Sequence, residues 1–255
     1  MKFLSTVASL ALAVTASCTP GHYPTHKLPT TTLYGVEVVD TQIVRDARNV
    51  IKNFTPYLHK HSLRTWLLGA AAINANKTLK ASLDLELHAV STILHDLGWD
   101  MTPGSPWISP DMRFEVDGGL GAVKFIKGHK DAKNWDPVRL EKVYDGISLH
   151  GSPGIQVGKN LDVQWILQSI SFDNPGARSP LIPEAQFNSV LAGLPASDIG
   201  FGTNETWVWL ATTKPQSTYN TILEPFGTAF APGYNAVGHR IFDLINPDFK
   251  GKSCN

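Results

Sequence analysis

The sequence predicts a mostly α fold in a single domain. Apolar residues recur at three- and four-residue steps in segment after segment, and clusters of proline and glycine separate those segments. No series of alternating residues marks a set of strands, and neither an internal repeat nor a sustained heptad is present. At 255 residues, 42% of them hydrophobic and 17% charged, the chain can bury a sizeable core and fits one large domain.

Residues 1–17 begin Met1-Lys2, continue with an apolar run from Phe3 to Val14 and end in small residues, the layout of a secretory signal peptide. The apolar run is shorter than the roughly 20 residues that span a bilayer. Residues 18–32 are rich in Pro, Thr, Gly and His without a hydrophobic period and are expected to form a mobile lead-in to a domain over 33–255. From Asp40, the spacing of Ile43, Ala47, Ile51 and Phe54 predicts a helix, and a second is expected over 58–76. The segment 82–98 carries Leu83, Leu87, Val90, Ile93, Leu94 and Leu97 on a helical period and ends on Gly98, a residue suited to a helix exit. Pro103, Pro106 and Pro110 make 99–117 a loop. Asp117 is expected to cap the next helix, whose inner face holds Ala122, Val123, Phe125 and Ile126. Asp136-Pro137 opens a helix that runs to Leu149, and another spans 161–172 before Asn174-Pro175-Gly176. Shorter helices are expected over 183–193, 205–213, 217–227 and 234–245.

Lys+Arg and Asp+Glu are both 22, so no global field attracts polyanions. The expected partner is a small molecule, with no nucleic acid and, after signal cleavage, no membrane. Three Asn-x-Thr sequons, at Asn53, Asn76 and Asn204, agree with export and are candidate glycan acceptors. The only cysteines, Cys18 and Cys254, stand at opposite ends of the mature chain. In an oxidising compartment they could close it with a bridge contributing about 4 to 5 kcal/mol by the chain-entropy model; two free thiols are the alternative. A secreted protein is expected.

The chemistry is concentrated in Glu86 to Gly98, where His95-Asp96 closes an apolar helix. Burying an imidazole and a carboxylate together is costly unless they are paired or bind a metal. Neighbours on a helix point about 100° apart, so both reach one point only beside the helix flank. Upstream, His61 and Arg64 are three apart and share a helical face; downstream, Asp173 follows the 161–172 helix.

One His, a later His-Asp pair and a distant Asp, here His61, His95-Asp96 and Asp173, resemble the signature of the HD superfamily of metal-dependent enzymes. His61-Ser-Leu-Arg64, Leu94-His-Asp-Leu-Gly98, Arg113-Phe-Glu-Val-Asp-Gly118 and Ile147-Ser-Leu-His150 resemble its cyanamide hydratase-like branch, over about residues 41–177. The resemblance implies an HD-domain helical bundle with its core at 41–177 and a helical C-terminal extension over 178–255. It also implies one divalent metal ion on His61, His95, Asp96 and Asp173. Two imidazoles and two carboxylates suit zinc first, then iron or manganese, and leave positions open for water. The implied activity is addition of water to a nitrile-like or amide-like C–N compound, as in cyanamide hydratase, with Asp96 managing the proton of the water.

Arg64 is expected to orient a carboxylate or bind an anion. His150, ahead of Gly151, is a candidate pocket residue with a catalytic role. Two other functions compete: a metal-dependent phosphohydrolase using Arg64, Lys124 and Lys127, and a non-catalytic secreted HD-fold binding protein. A second ion would draw on His129 or His150, and a single ion is preferred. His88 lies about 10 Å along the helix from His95 and is expected in the core or on the surface. His59 reads as a surface residue, and Trp207 and Trp209 as packing.

Overall fold

Helix α2 (Pro56–Ala75) is buried nearly all round, which marks it as the centre of the fold. Pro56 at the first helical position presets its φ, and Leu58, Leu67, Leu68 and Trp66 are all but inaccessible. Around it pack α4 (Leu85–Leu94), α7 (Leu161–Ser171) and α8 (Glu184–Gly193). Helices α5 (Phe114–Gly128) and α6 (Pro137–Ser148) pair with each other, and α6 closes on both α4 and α7. Helix α1 (Gln42–Ile51) covers α4 with Ile43, Val44, Ala47 and Ile51, while the short α3 (Lys77–Ala81) follows α2. Helices α9 (Ile199–Thr213), α10 (Glu224–Phe230) and α11 (Ile241–Ile245) complete the described residues. This computed structural model describes residues 28–247 apart from Pro153 and Pro175. The signal peptide expected over 1–17, most of the lead-in, and both Cys18 and Cys254 lie outside the described residues.

The expected all-α fold is found, with one departure. Strands β1 (Thr30–Leu33) and β2 (Val36–Val39) form an antiparallel hairpin, so the end of the segment expected to be a mobile lead-in is ordered. Tyr34 (φ 47°) and Gly35 (φ 75°) make its two-residue turn. Both central residues of such a turn need positive φ, and Asn or Asp before Gly is its usual signature. A tyrosine there conceals the turn from a reader of the sequence. Val36, Val38 and Val39 then enter the core.

Helix boundaries differ from expectation where capping or glycine decides them. Helix α4 starts at Leu85 because the Asp84 side chain accepts the Leu87 N–H at 3.0 Å. Arg139 of α6 donates to that same Asp84 at 2.7 Å and 3.0 Å and to Glu86 at 3.1 Å, lying 3.9 Å over the Trp135 ring. At the other end α4 stops at Leu94, and a 3-10 turn covers Leu97–Trp99. Gly98 is not a left-handed helix exit; it is required because a Cβ there would run into the Phe114 carbonyl. Helix α5 begins at Phe114, three residues before the cap expected at Asp117. Asp117 is instead buried in its first turn, bonded to Lys214 at 2.5 Å and to the Ser109 N–H at 3.2 Å.

Asp136 does cap α6, accepting the Arg139 N–H at 2.8 Å. Helix α9 starts at Ile199, six residues before the expected 205, because packing overrides the poor helix propensity of Gly200, Gly202 and Thr203. Gly202 is what allows Tyr57 to lie against α9, and the Tyr57 hydroxyl bonds Thr206. Of the helices expected over 217–227 and 234–245, only Glu224–Phe230 and Ile241–Ile245 are α-helical.

Candidate metal centre

His61 comes from the second turn of α2, and His95 and Asp96 directly follow the last residue of α4. The angular problem of two neighbouring residues reaching one point is solved by ending the helix between them. His95 keeps helical backbone angles, whereas Asp96 leaves them (φ −105°, ψ 32°), which turns its carboxylate back toward His95. Its Oδ2 lies 3.0 Å from His95 Nε2 and 3.2 Å from His61 Nε2, and the two Nε2 atoms are 3.1 Å apart. The three ligand-type atoms form a near-equilateral triangle, and all three residues are buried.

An ion held at about 2.0–2.1 Å would space its ligand atoms by about 2.9 Å in octahedral and about 3.3 Å in tetrahedral geometry. The observed edges fall between the two. A second observation supports the fit: neither oxygen of the buried Asp96 carboxylate accepts a properly directed hydrogen bond. A buried carboxylate needs compensating charge, which protonated imidazoles supply in the metal-free protein and a bound cation can supply in their place. His61, His95 and Asp96 can therefore hold a metal ion.

The other nitrogen of each imidazole is tied to the protein. His61 Nδ1 donates to Asp173 Oδ2 at 2.7 Å, His95 Nδ1 to the Thr92 carbonyl at 2.8 Å, and His150 Nδ1 to the Ile147 carbonyl at 2.6 Å. For His61 and His95 that bond leaves the Nε2 lone pair directed to the cluster, as is usual for metal-binding histidines. Asp173 is thus placed on the far side of His61, outside the triangle, rather than as a fourth ligand beside it. It is itself held by Arg64, which donates from Nε to Oδ1 at 2.6 Å and from Nη2 to Oδ2 at 2.8 Å. Arg64 is fully buried, with its remaining nitrogen on the Leu194 and Pro195 carbonyls. It orients a carboxylate, and does not reach the cavity.

Charges follow from this geometry. Burial pushes the Asp96 carboxyl up, but the surrounding imidazoles of His95, His150 and His61 overcome it and hold it well below the usual carboxylate range. Burial likewise works against a proton on His61, yet the carboxylates of Asp173 and Asp96 raise it to about 9. Burial dominates at His95, which is lowered. The His61 value lies above the ordinary 6.5, so in metal-free protein the stability from that proton is complete below about pH 6.5 and lost as pH rises through about 9. A metal ion needs the same Nε2 lone pair. Apparent affinity measured by chelator competition is therefore expected to rise about tenfold per pH unit from 6.5 to 8.5. A flat profile would remove His61 from the ligand set.

A cavity of about 710 Å³ opens over the triangle. His150 lines it, as expected, with Nε2 3.4 Å from Asp96 Oδ1, the oxygen turned away from the triangle. Burial lowers its affinity for a proton, but the Asp96 carboxylate outweighs that and raises it. Trp207, read as packing, also lines the cavity, as do Trp99, Phe114, Ile199 and Phe226. Sequence reasoning missed this wall because nothing local links the α9–α10 region to a His-Asp pair more than 100 residues away. Trp99, which stacks on His61 at 5.9 Å, was within reach, since it directly follows Gly98.

Of the remaining candidates, one lines the cavity and the others lie away from it. Asn204 lines the cavity from the middle of α9, half-buried, and Thr206 of its sequon is buried, whereas Asn53 and Asn76 are exposed. His88 is a core residue bonded to Ser169 at 2.9 Å, and burial lowers it to about 4. His129 pairs with Asp46 at 3.0 Å, and His59 bonds the Ile51 carbonyl at 3.1 Å. Lys124 and Lys127 are exposed and do not line the cavity. No protein-family model matches this chain, and no curated protein is significantly similar to it.

Proposed function

We propose that this protein is a secreted, metal-dependent hydratase or hydrolase of HD type, acting on a nitrile-like or amide-like C–N bond. The observation that carries the reading is the buried Asp96 carboxylate, without directed hydrogen bonds, among three imidazole Nε2 atoms at the floor of an open cavity. Zinc is the first candidate for the ion, with iron or manganese next, on His61, His95 and Asp96. When bound, such an ion supplies an acidified water and a Lewis acid.

The chain's own groups handle the protons. His150 Nε2 holds one beside Asp96 Oδ1 and can deliver it to the substrate nitrogen as water adds to the carbon. Asp96 Oδ1 would relay the proton that the water gives away back to His150, restoring the pair. Arg64 and Asp173 keep His61 in the tautomer that points Nε2 into the cluster. Trp99 and Phe114 form the apolar side of the floor.

Among the described residues lining the cavity there is no Lys or Arg. A phosphate ester needs such partners, so this favours the C–N reading over a phosphohydrolase. The test is turnover of a nitrile to its amide by zinc-, iron- or manganese-loaded protein, followed by mass spectrometry. His150→Ala is expected to lower kcat by roughly 10²–10⁴-fold while the metal content stays unchanged. Absence of turnover on nitriles and amides with metal in place, together with activity on phosphoesters, would reverse the assignment.

A further inference from the structure

The cavity is far larger than the smallest molecule this chemistry could serve. A volume of about 710 Å³ lies in the range of about 300–1,000 Å³ typical of pockets that enclose drug-sized ligands. Cyanamide has three non-hydrogen atoms, and a ligand of that size reaches about millimolar affinity at best. Most of the space would then hold water against apolar walls.

Half of the apolar side chains in those walls come from the C-terminal third of the chain. Ile199 and Trp207 belong to α9, Ile222 lies just before α10 and Phe226 within it, and Leu167 faces them from α7. The Phe226 ring meets Trp207 edge to face at 4.5 Å, and Trp207 meets Trp99 at 6.0 Å and 85°. Interlocked rings of this kind hold one another's rotamers and keep the wall in place without a ligand. Away from the floor, where Asp96 and the Arg64-paired Asp173 also line the cavity, the polar residues that interrupt the wall, among them Gln156, Thr203 and Asn204, are uncharged.

We infer that the substrate is a neutral molecule with a bulky apolar group, aromatic or branched aliphatic, packed against Trp207, Phe226, Ile222 and Ile199. Its small reacting C–N end points to the His61–His95–Asp96 floor. The reacting end rests on the hydration reading above; the apolar subsite rests on the walls alone.

Binding tests it without turnover. Primary amides from acetamide to hexanamide, with benzamide and phenylacetamide, are titrated into the full chain by calorimetry and tryptophan fluorescence, with and without zinc. The dissociation constant is expected to fall about fourfold per added methylene until the cavity is filled, in both metal states. Ile222→Asp should weaken phenylacetamide at least about tenfold and leave acetamide unchanged. Ile222 is 38% exposed, so this variant keeps the fold, whereas Trp207→Ala probes the same wall from inside. Equal affinity along the series, or affinities that neither variant alters, would overturn the inference. The two readings fail separately. A steep series in a protein that binds no metal would sink the hydration chemistry and keep the subsite. Turnover of cyanamide with a flat series would do the reverse.

Discussion

Protein reloaded with zinc and dialysed is expected to carry about one ion per chain, and His95→Ala none, by elemental mass spectrometry. His95 is inaccessible to solvent and contributes one corner of the triangle, so its loss leaves only His61 and Asp96 of the three. Asp96→Asn should behave like His95→Ala, because the carboxylate is the only anion in the ligand set. The informative contrast is Asp173→Asn. Asp173 bonds His61 Nδ1 and Arg64, so the amide oxygen of that variant can still accept from His61 and keep its tautomer. It is expected to retain the ion with affinity reduced about 10–100-fold, the usual effect of removing a group that orients a ligand. Complete metal loss in Asp173→Asn would instead make Asp173 a ligand in its own right, as the resemblance to HD enzymes implies.

Lys214→Met is expected to destabilise the protein by about 3–5 kcal/mol, the usual cost of leaving one member of a buried ion pair alone. Lys214 and Asp117 are each about 3% exposed and 2.5 Å apart, and Lys214 also donates to the Met112 carbonyl at 2.8 Å. The pair fastens the end of α9, and with it the cavity wall, to α5 and the loop before it. A fall in Tm of roughly 6–20 °C is expected for a chain of this size. The double variant Asp117→Leu, Lys214→Met should recover most of it, because two apolar side chains carry no stranded charge. If Lys214→Met alone leaves Tm unchanged, the pair is solvated in solution and the wall is not anchored there.

Much of the site was legible in sequence because it is local. A His-Asp dipeptide at the end of an apolar helix cannot be buried without a compensating partner, and His61 shares a face with Arg64 at a three-residue step. Asp136-Pro137 announced α6 for a similar reason, since capping and proline at N1 act within one turn. Asp117 shows the limit of that logic. An aspartate ahead of a glycine-rich helix reads as a cap, but its partner, Lys214, lies 97 residues away and cannot be inferred from spacing. Asp173 shows it again, on a finer scale. Sequence order brings it to the site, whereas only side-chain geometry assigns it to Nδ1 of His61 rather than to the triangle.

The resemblance to HD enzymes joined His61 to the site; by itself, the sequence determined the all-α class, most of the helices and the His95-Asp96 pair at a helix end. Those depend on periodicity, capping and the cost of buried charge, which act over a few residues. The tertiary structure alone decided where α4 stops so that His95 and Asp96 converge, how Arg64 and Asp173 hold His61, and which side chains wall the cavity. Those depend on which distant surfaces meet, and side-chain packing between α2, α7 and α9 is not encoded in any local pattern.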